Sequence, residues 1–336
     1  MKSQKLVVIV DEKSHFSRED AALLRQDFDV VPVYLDLTGK EFLTMFSIGI
    51  TRIIPGIFTS DISITWFADY HAAFVVFFSR LFRKKSIVLV GGHEVCTMPD
   101  IRYGYQRLFF RGFIVRWILR NATQVVVPSR SYADKVRDLV NADSQVIPMS
   151  SEPDANALRE EKTGSVAMVA NQYLGRGDYI SLKGIATYDK IAENLHEVPC
   201  YLIGRTDPEI KTMFLHLRYP GEMNHDALLK FLATSKVYCQ LSYTESFGVS
   251  LLEALQSGCV PVVTDKDGMK ELVGDHGYNV PYGDAGSAAD AVRKALDSQE
   301  DRTGIAHYYQ ATYSPERRRT AFRELIASVY ATPSKG

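Results

Sequence analysis

Apolar residues in this chain gather into short β-branched runs. Between the runs they recur three and four positions apart. The first pattern suits buried strands and the second amphipathic helices. In the first half, Lys5–Val10, Val30–Leu35, Ile62–Trp66, Ser86–Val90 and Gln124–Val127 are predicted strands, with helices at 17–27, 69–84, 105–121 and 130–140. The rhythm stops over Ser150–Gly164, a polar stretch rich in Ser, Glu, Asp and Lys that suits an interdomain linker. It then restarts, with strands at Val166–Ala170, Tyr201–Ile203, Val237–Leu241 and Val260–Val263 and helices at 183–195, 225–234, 249–257 and 286–298. Ser314-Pro315-Glu316 opens a last helix, 315–331, with an N-cap residue followed by Pro at the first helical position. Strands alternating with helices imply βαβ units and mostly parallel sheets. The expected fold is α/β, two Rossmann-like domains facing across a cleft.

Length agrees: 336 residues suit about two domains. The near-neutral charge of −1 disfavours a general nucleic-acid binder. Four cysteines lie far apart with no CxxC pair, which argues against a disulfide framework or zinc ribbon and for a reducing, cytosolic compartment. The longest apolar run, Ala72–Phe78, is far short of the ~20 residues of a membrane span. Asp11, Glu12 and Lys13 interrupt the N-terminal apolar run, so no signal peptide is expected. One asymmetry hides in the total: residues 71–130 carry a net +8 and the remainder −9.

The most informative segment runs from Thr244 to Val263, TESFGVSLLEALQSGCVPVV. It suits strand, loop, helix, turn and strand. Gly248 permits close backbone approach to a ligand, and a helix opening at Val249 points N–H groups and a positive dipole end into the loop. Glu245 precedes that helix and Glu253 lies one turn inside it, placed to take hydroxyls rather than phosphate. Either glutamate alone would suit a helix cap or a solvated surface.

In these residues the chain resembles the retaining, nucleotide-sugar-dependent glycosyltransferases of the GT-B fold, in particular glycosyltransferase family four. The resemblance implies that Glu245 contacts donor-sugar hydroxyls, that Glu253 binds the ribose, and that the amides of Phe247 to Ser250, with Ser246 beside them, hold the diphosphate. Lys183-Gly184 resembles the family's Lys-Gly element, whose lysine pairs with the β-phosphate. Arg176 is the candidate for the family's second cation, although a solvated loop cation fits it too. Gly204, ending a strand, resembles the glycine packed near the nucleotide. Tyr219-Pro220-Gly221-Glu222 and Gly268 are read as further lining.

The first half departs from the family at strand one, where no glycine follows Val10. The absence of a GxGxxG also rejects a dinucleotide dehydrogenase. Gly91-Gly92-His93-Glu94 follows a predicted strand, and the resemblance gives His93 the role of aligning the donor sugar and Glu94 that of positioning the acceptor. Arg130, in Val127-Pro128-Ser129-Arg130, faces the acceptor side or is an ordinary helix-start charge. On a helix over 105–121, Phe110, Phe113, Ile114 and Trp117 share an arc flanked by Arg107, Arg111, Arg116 and Arg120. That arc suits docking on an anionic membrane, with Arg stems snorkelling, and equally suits the core face of a Rossmann helix.

The expected architecture is an acceptor-binding domain over 1–155, a nucleotide-sugar domain over 156–312, and a C-terminal helix over 313–336 that crosses back to the first. The expected activity is retaining transfer of a sugar from a UDP or GDP sugar to a hydroxyl of a glycan or lipid-linked acceptor, in cell-surface polysaccharide or glycolipid synthesis. No cofactor or metal and no nucleic acid is implied. The cytoplasm, peripherally on the inner face of the plasma membrane, is the expected location. Another GT-B sugar-nucleotide enzyme, an epimerase or synthase, or a catalytically silent binding subunit are the competing classes.

Overall fold

The computed structural model describes residues 4–11, 14–35, 49–171 and 178–331. The chain divides into two compact units. The first comprises Met1–Met98, Gly104–Pro148 and Pro315–Gly336, and the second Pro99–Tyr103 and Met149–Ser314.

The first unit is built on β1 (Lys5–Asp11), β2 (Asp29–Leu35), β3 (Ile62–Trp66), β4 (Lys85–Leu89), β5 (Gln124–Val127) and β6 (Gln145–Val146). These form one parallel sheet in the order β2-β1-β3-β4-β5-β6. Its helices are α1 (His15–Leu24), α2 (Ile54–Thr59), α3 (Tyr70–Leu81), α4 (Phe109–Asn121) and α5 (Arg130–Val140). Every residue of β3 and β4 is buried, as expected for central parallel strands covered on both faces. Without a glycine after β1, the chain enters α1 through Ser14, whose Oγ accepts from the Ser17 N–H.

The second unit carries β7 (Thr163–Val169), β8 (Cys200–Ile203), β9 (Arg218–Gly221), β10 (Ser235–Gln240), β11 (Val260–Thr264) and β12 (Tyr278–Val280). The parallel order is β12-β11-β10-β7-β8-β9. Between the strands lie α6 (Tyr179–Lys183), α7 (Ile185–Asn194), α8 (Pro208–Met213), α9 (His225–Thr234), α10 (Val249–Gln256), α11 (Asp267–Val273), α12 (Ala285–Asp297) and α13 (Arg302–Thr312). Val166, Met168, Leu202, Val237, Cys239 and Val262 from the strands meet Ile185, Tyr188, Ile191 and Val292 from the helices in its core. Strand order reverses between β7 and β10, and loops leaving the carboxyl ends of such neighbours diverge and open a crevice for ligand.

The last helix, α14 (Pro315–Ala331), belongs to the first unit. Arg318 on it is buried and pairs with both carboxylate oxygens of Asp20 on α1, at 2.7 and 2.8 Å. Asp20 also accepts from the Trp66 indole N–H at 2.9 Å.

Candidate active site

Both loops at the reversal point of the second sheet carry residues singled out by sequence. After β7 the chain passes through α6, which ends at Lys183. Gly184 takes φ +69 and separates α6 from α7, so the single helix expected over 183–195 is broken at its first turn. A Cβ at Gly184 would stand 2.1 Å from the Leu241 carbonyl oxygen, at the end of β10. The Tyr243 N–H donates to the Leu182 carbonyl at 2.8 Å. This close backbone approach brings Lys183 to the second loop: its Nζ lies 2.7 Å from Glu245 Oε2, each side chain 23% exposed.

The second loop, after β10, is held from below and behind. The hydroxyl of buried Tyr238 donates to Gln240 Oε1 at 3.0 Å, and Gln240 Nε2 donates to Ser242 Oγ at 2.8 Å. Burial, then Glu253 and Glu245, push the Tyr238 phenol well above its ordinary range, so it stays a donor. Gly268 donates its N–H to the Glu245 carbonyl at 3.1 Å and sits where a Cβ would be 2.3 Å from the Ser246 carbonyl oxygen. Thr244 Oγ1 donates to Asp267 Oδ2 at 2.5 Å. Phe247 is buried with its ring against Tyr313, so its backbone is the part presented to the loop. Gly248, at φ +91, forms the N-cap of α10 and supplies no side chain to the first helical N–H groups. Val249 and Ser250, half-buried, start that helix. An uncapped helix start with its dipole aimed into a polar loop is a site for an anion.

Glu253 is buried one turn along α10, where its Oε1 accepts from Ser151 Oγ at 3.4 Å and lies 3.6 Å from His225 Nδ1 at the start of α9. Sequence reading missed Ser151 and His225. Neither lies in a motif, and only the fold brings Ser151 to a partner 102 positions away. The structure thus groups Lys183 with Glu245, and Ser246, Phe247, Gly248, Val249 and Ser250 with Glu253, on two loops. Gly204, at φ +132, is a joint between strands: its N–H donates to the Gly221 carbonyl, and a Cβ would meet the Ala170 carbonyl oxygen at 2.6 Å. Arg176 lies outside the described residues.

In the first unit, Gly91-Gly92 turns the chain after β4 into a short 3-10 helix, His93–Val95. Glu94 is a correction. Its buried carboxylate accepts the N–H groups of Ala68 at 3.1 Å, Gly91 at 3.0 Å and Gly92 at 2.7 Å, so it organises its own turn rather than facing an acceptor. Burial raises its pKa, opposed by these backbone bonds. His93 packs its ring against the Tyr105 ring, centroids 4.4 Å apart. Burial, then the Arg111 and Arg107 cations, lower its pKa to about 4, with Asp69 opposing. Arg130 is exposed at the start of α5.

The arginine-flanked helix, for which docking surface and core face were both open, starts later than the expected 105–121. The 3-10 turn Tyr105–Arg107 precedes it, and α4 starts only at Phe109. Its buried face is Gly112, Val115, Ile118 and Leu119, so the aromatic arc is not the core face. Phe109, Phe110 and Phe113 are 89%, 66% and 57% exposed. Trp117, half-buried, joins Ala73, Phe74, Phe77 and Phe78 around an open apolar cavity of about 390 Å³. Arg107 and Arg120 are exposed beside this surface. Arg111 and Arg116 instead turn to protein partners. Arg111 pairs with Asp69, and Arg116 Nη1 donates to Gln106 Oε1 at 2.7 Å.

Two doubly wound parallel units are the arrangement of the GT-B fold, which the chain shares with solved structures. Residues 185–311, in the second unit, match the family described as Glycosyl transferases group 1. A phosphatidyl-myo-inositol mannosyltransferase of Mycolicibacterium smegmatis is 28% identical over 128 residues, 36% of this chain and 33% of that protein. The enzyme of the same name from Mycobacterium leprae is 29% identical over 110 residues, 30% of this chain and 29% of that protein. The chain thus matches about a third of the length of these curated relatives. Over nearly the whole chain the fold is that of the sucrose-phosphate synthase from Thermosynechococcus elongatus, with a TM-score of 0.72, 16% identity, and 98% of this chain and 99% of that one covered. The Anabaena HepE structure, solved with UDP and glucose, gives a TM-score of 0.72 at 12% identity, covering 97% of this chain and 100% of that one.

Proposed function

We propose that the protein is a retaining glycosyltransferase. It transfers a sugar from a UDP or GDP sugar to a hydroxyl of a glycan or lipid-linked acceptor, in cell-surface polysaccharide or glycolipid synthesis. The observation that carries this reading is the Lys183–Glu245 pair beside the uncapped start of α10, with Glu253 one turn further on. A diphosphate entering there meets Lys183 Nζ and the N–H groups from Phe247 to Ser250, which offset its charge as the leaving bond breaks. Glu245, released from Lys183 by the phosphate, accepts from sugar hydroxyls. Glu253, oriented by Ser151 and His225, accepts from ribose hydroxyls. His93, as a neutral imidazole, offers one donor and one acceptor to the sugar.

The bond from the anomeric carbon to the β-phosphate oxygen breaks, and a bond from the acceptor oxygen to that carbon forms on the same face. The acceptor proton passes to the leaving phosphate. On this reading Lys183 and the helix start supply the positive charge, and no metal is required. The Glycosyl transferases group 1 match, the mannosyltransferase relatives and the UDP-bound neighbour support the class of donor.

Calorimetry and transfer kinetics test the assignment. Glu253→Ala weakens nucleotide binding about tenfold or more, since losing one charged hydrogen bond costs about 1.5–3 kcal/mol. Lys183→Ala lowers turnover by about 10²–10³, as expected for losing one charge-stabilising donor. Wild-type transfer rates in both variants would remove the site.

We also read the exposed aromatic face of α4 as a docking surface for an anionic membrane, placing the protein peripherally on the inner face of the plasma membrane. Helices α3 and α4 contain no acidic residue; Arg107 is exposed just before Phe109, Phe110 and Phe113, and Arg80 and Arg120 are exposed on the last turns of the two helices. Among the described residues no helix is long and apolar enough to cross a membrane. Phe110→Ser with Phe113→Ser reduces co-sedimentation with anionic vesicles, and salt weakens wild-type binding. Equal binding to neutral vesicles would overturn the electrostatic part.

A further inference from the structure

His93 is surrounded by a set of side chains for which the proposed reaction has no use. Asp69 caps α3, its Oδ1 accepting from the Tyr70 N–H at 2.9 Å, so its carboxylate is anchored to a helix start. Arg111, in the first turn of α4, donates Nε to Asp69 Oδ1 at 3.1 Å and Nη2 to Oδ2, a two-pronged pairing of guanidinium and carboxylate. The same Nη2 donates to the Tyr105 hydroxyl at 2.8 Å, and that hydroxyl donates to Asp69 Oδ2 at 3.1 Å. The guanidinium carbon lies 3.7 Å from the centre of the Tyr105 ring. Tyr105 is thereby held by its hydroxyl and by one face, and it meets the His93 ring at 77°. A surface arginine meant only to touch anionic lipid has no need of these bonds.

We propose that Asp69, Arg111 and Tyr105 act together as a positioning clamp that fixes the imidazole of His93 in one orientation. The proposal rests on the reading of His93 as a sugar contact, and it deepens that reading by adding three positioning residues on the turn before α4 and at the starts of two helices. The clamp also sets charge. The cations facing His93 are Arg111 on α4 and Arg107 on the preceding turn, and Asp69 at the cap of α3 opposes them. Glu94, on the same turn as His93, is buried with its carboxylate held by backbone N–H groups. From α5, Tyr132 reaches Cys96 just beyond the turn, with its hydroxyl 3.4 Å from Sγ, and Lys135 lies over the Tyr132 ring at 4.1 Å. Arg111 thus does two things at once: it orients Tyr105 and disfavours a proton on His93.

Proton NMR of the histidine ring signals of the full chain tests this without any assay of transfer. The His93 signal is assigned by its loss in His93→Gln. In the wild type its midpoint lies at about 4, so the ring is neutral near neutral pH. Removing the cation in Arg111→Gln moves that midpoint up by roughly one unit or more. Arg111→Lys, which keeps the charge and loses the fork, leaves the midpoint low. Tyr105→Phe, which loses the hydroxyl and keeps the ring, shifts the His93 signal through altered ring orientation. In the transfer assay the Arg111→Gln deficit grows as pH falls from about 7 to about 5.5, while wild type stays level, and Arg111→Lys narrows the deficit. An unchanged His93 midpoint in Arg111→Gln, with an unmoved His93 signal in Tyr105→Phe, overturns the clamp. If Arg111→Gln does not fold, Tyr105→Phe and Arg111→Lys carry the same comparison. Absence of any sugar transfer by the wild type defeats the proposed function and leaves the titration to decide the clamp.

Discussion

Glu94 in the first unit and the Lys183–Glu245 pair in the second use their charge in opposite ways. Glu94 spends it on the protein itself. Three backbone N–H groups converge on its buried carboxylate, tying Ala68 beyond β3 to the turn after β4. Glu94→Gln replaces one accepting oxygen with a donor and leaves an N–H unanswered, so urea denaturation shows a loss of about 1–3 kcal/mol. Lys183 and Glu245 form an ion pair that is partly open to water, and such pairs contribute only ~0–1 kcal/mol. Lys183→Ala therefore leaves stability nearly unchanged while turnover falls. Sequence marked all three residues. It did not separate the glutamate that serves the fold from the pair left partly open to water, because that difference lies in burial and in what surrounds each carboxylate.

At the scale of elements, the junctions differ most from what periodicity predicts. Apolar spacing runs on through 183–195, but the close approach of Gly184 to the Leu241 carbonyl demands a left-handed residue without a Cβ. Gly184→Ala should cost about 1–3 kcal/mol of strain and displace Lys183, seen as weaker nucleotide binding in calorimetry. Gly164→Ala is the control, since nothing lies within 4 Å of a Cβ there, and its effect should stay within about 0.5 kcal/mol. The strands that sequence missed, β6, β9 and β12, all lie at sheet edges. All three are short, with two to four residues and no continuous apolar run, unlike the edge strand β2, and β9 carries Pro220 and Gly221, which read as loop. On α4, periodicity correctly grouped the aromatic residues on one face. It could not tell which face points inward, because a helix rotated either way has the same spacing.

At the scale of the molecule, α14 ties the end of the chain to the first unit through one buried guanidinium. Arg318 satisfies Asp20 with two bonds and also donates to the Ile147 and Pro148 carbonyls. Removing one partner leaves a buried carboxylate uncompensated, so Arg318→Ala should destabilise the protein by about 3–5 kcal/mol and raise hydrogen exchange along α14 and α1. Unchanged exchange in α1 would mean that Asp20 finds another partner. The final helix and the two-domain α/β class were legible in the sequence, as was the loop from Glu245 to Glu253. Each is written in neighbouring residues: apolar spacing, a Ser-Pro start, glycine where a turn needs it. Tertiary structure alone decided that Glu94 turns inward, that Arg111 joins Asp69 and Tyr105, and that Ser151 and His225 reach Glu253. The pairings of Glu94 with Ala68, Arg111 with Asp69 and Ser151 with Glu253 link residues far apart in the chain, and their partners are chosen by burial, which makes an unpaired charge costly and a well-bonded one stable.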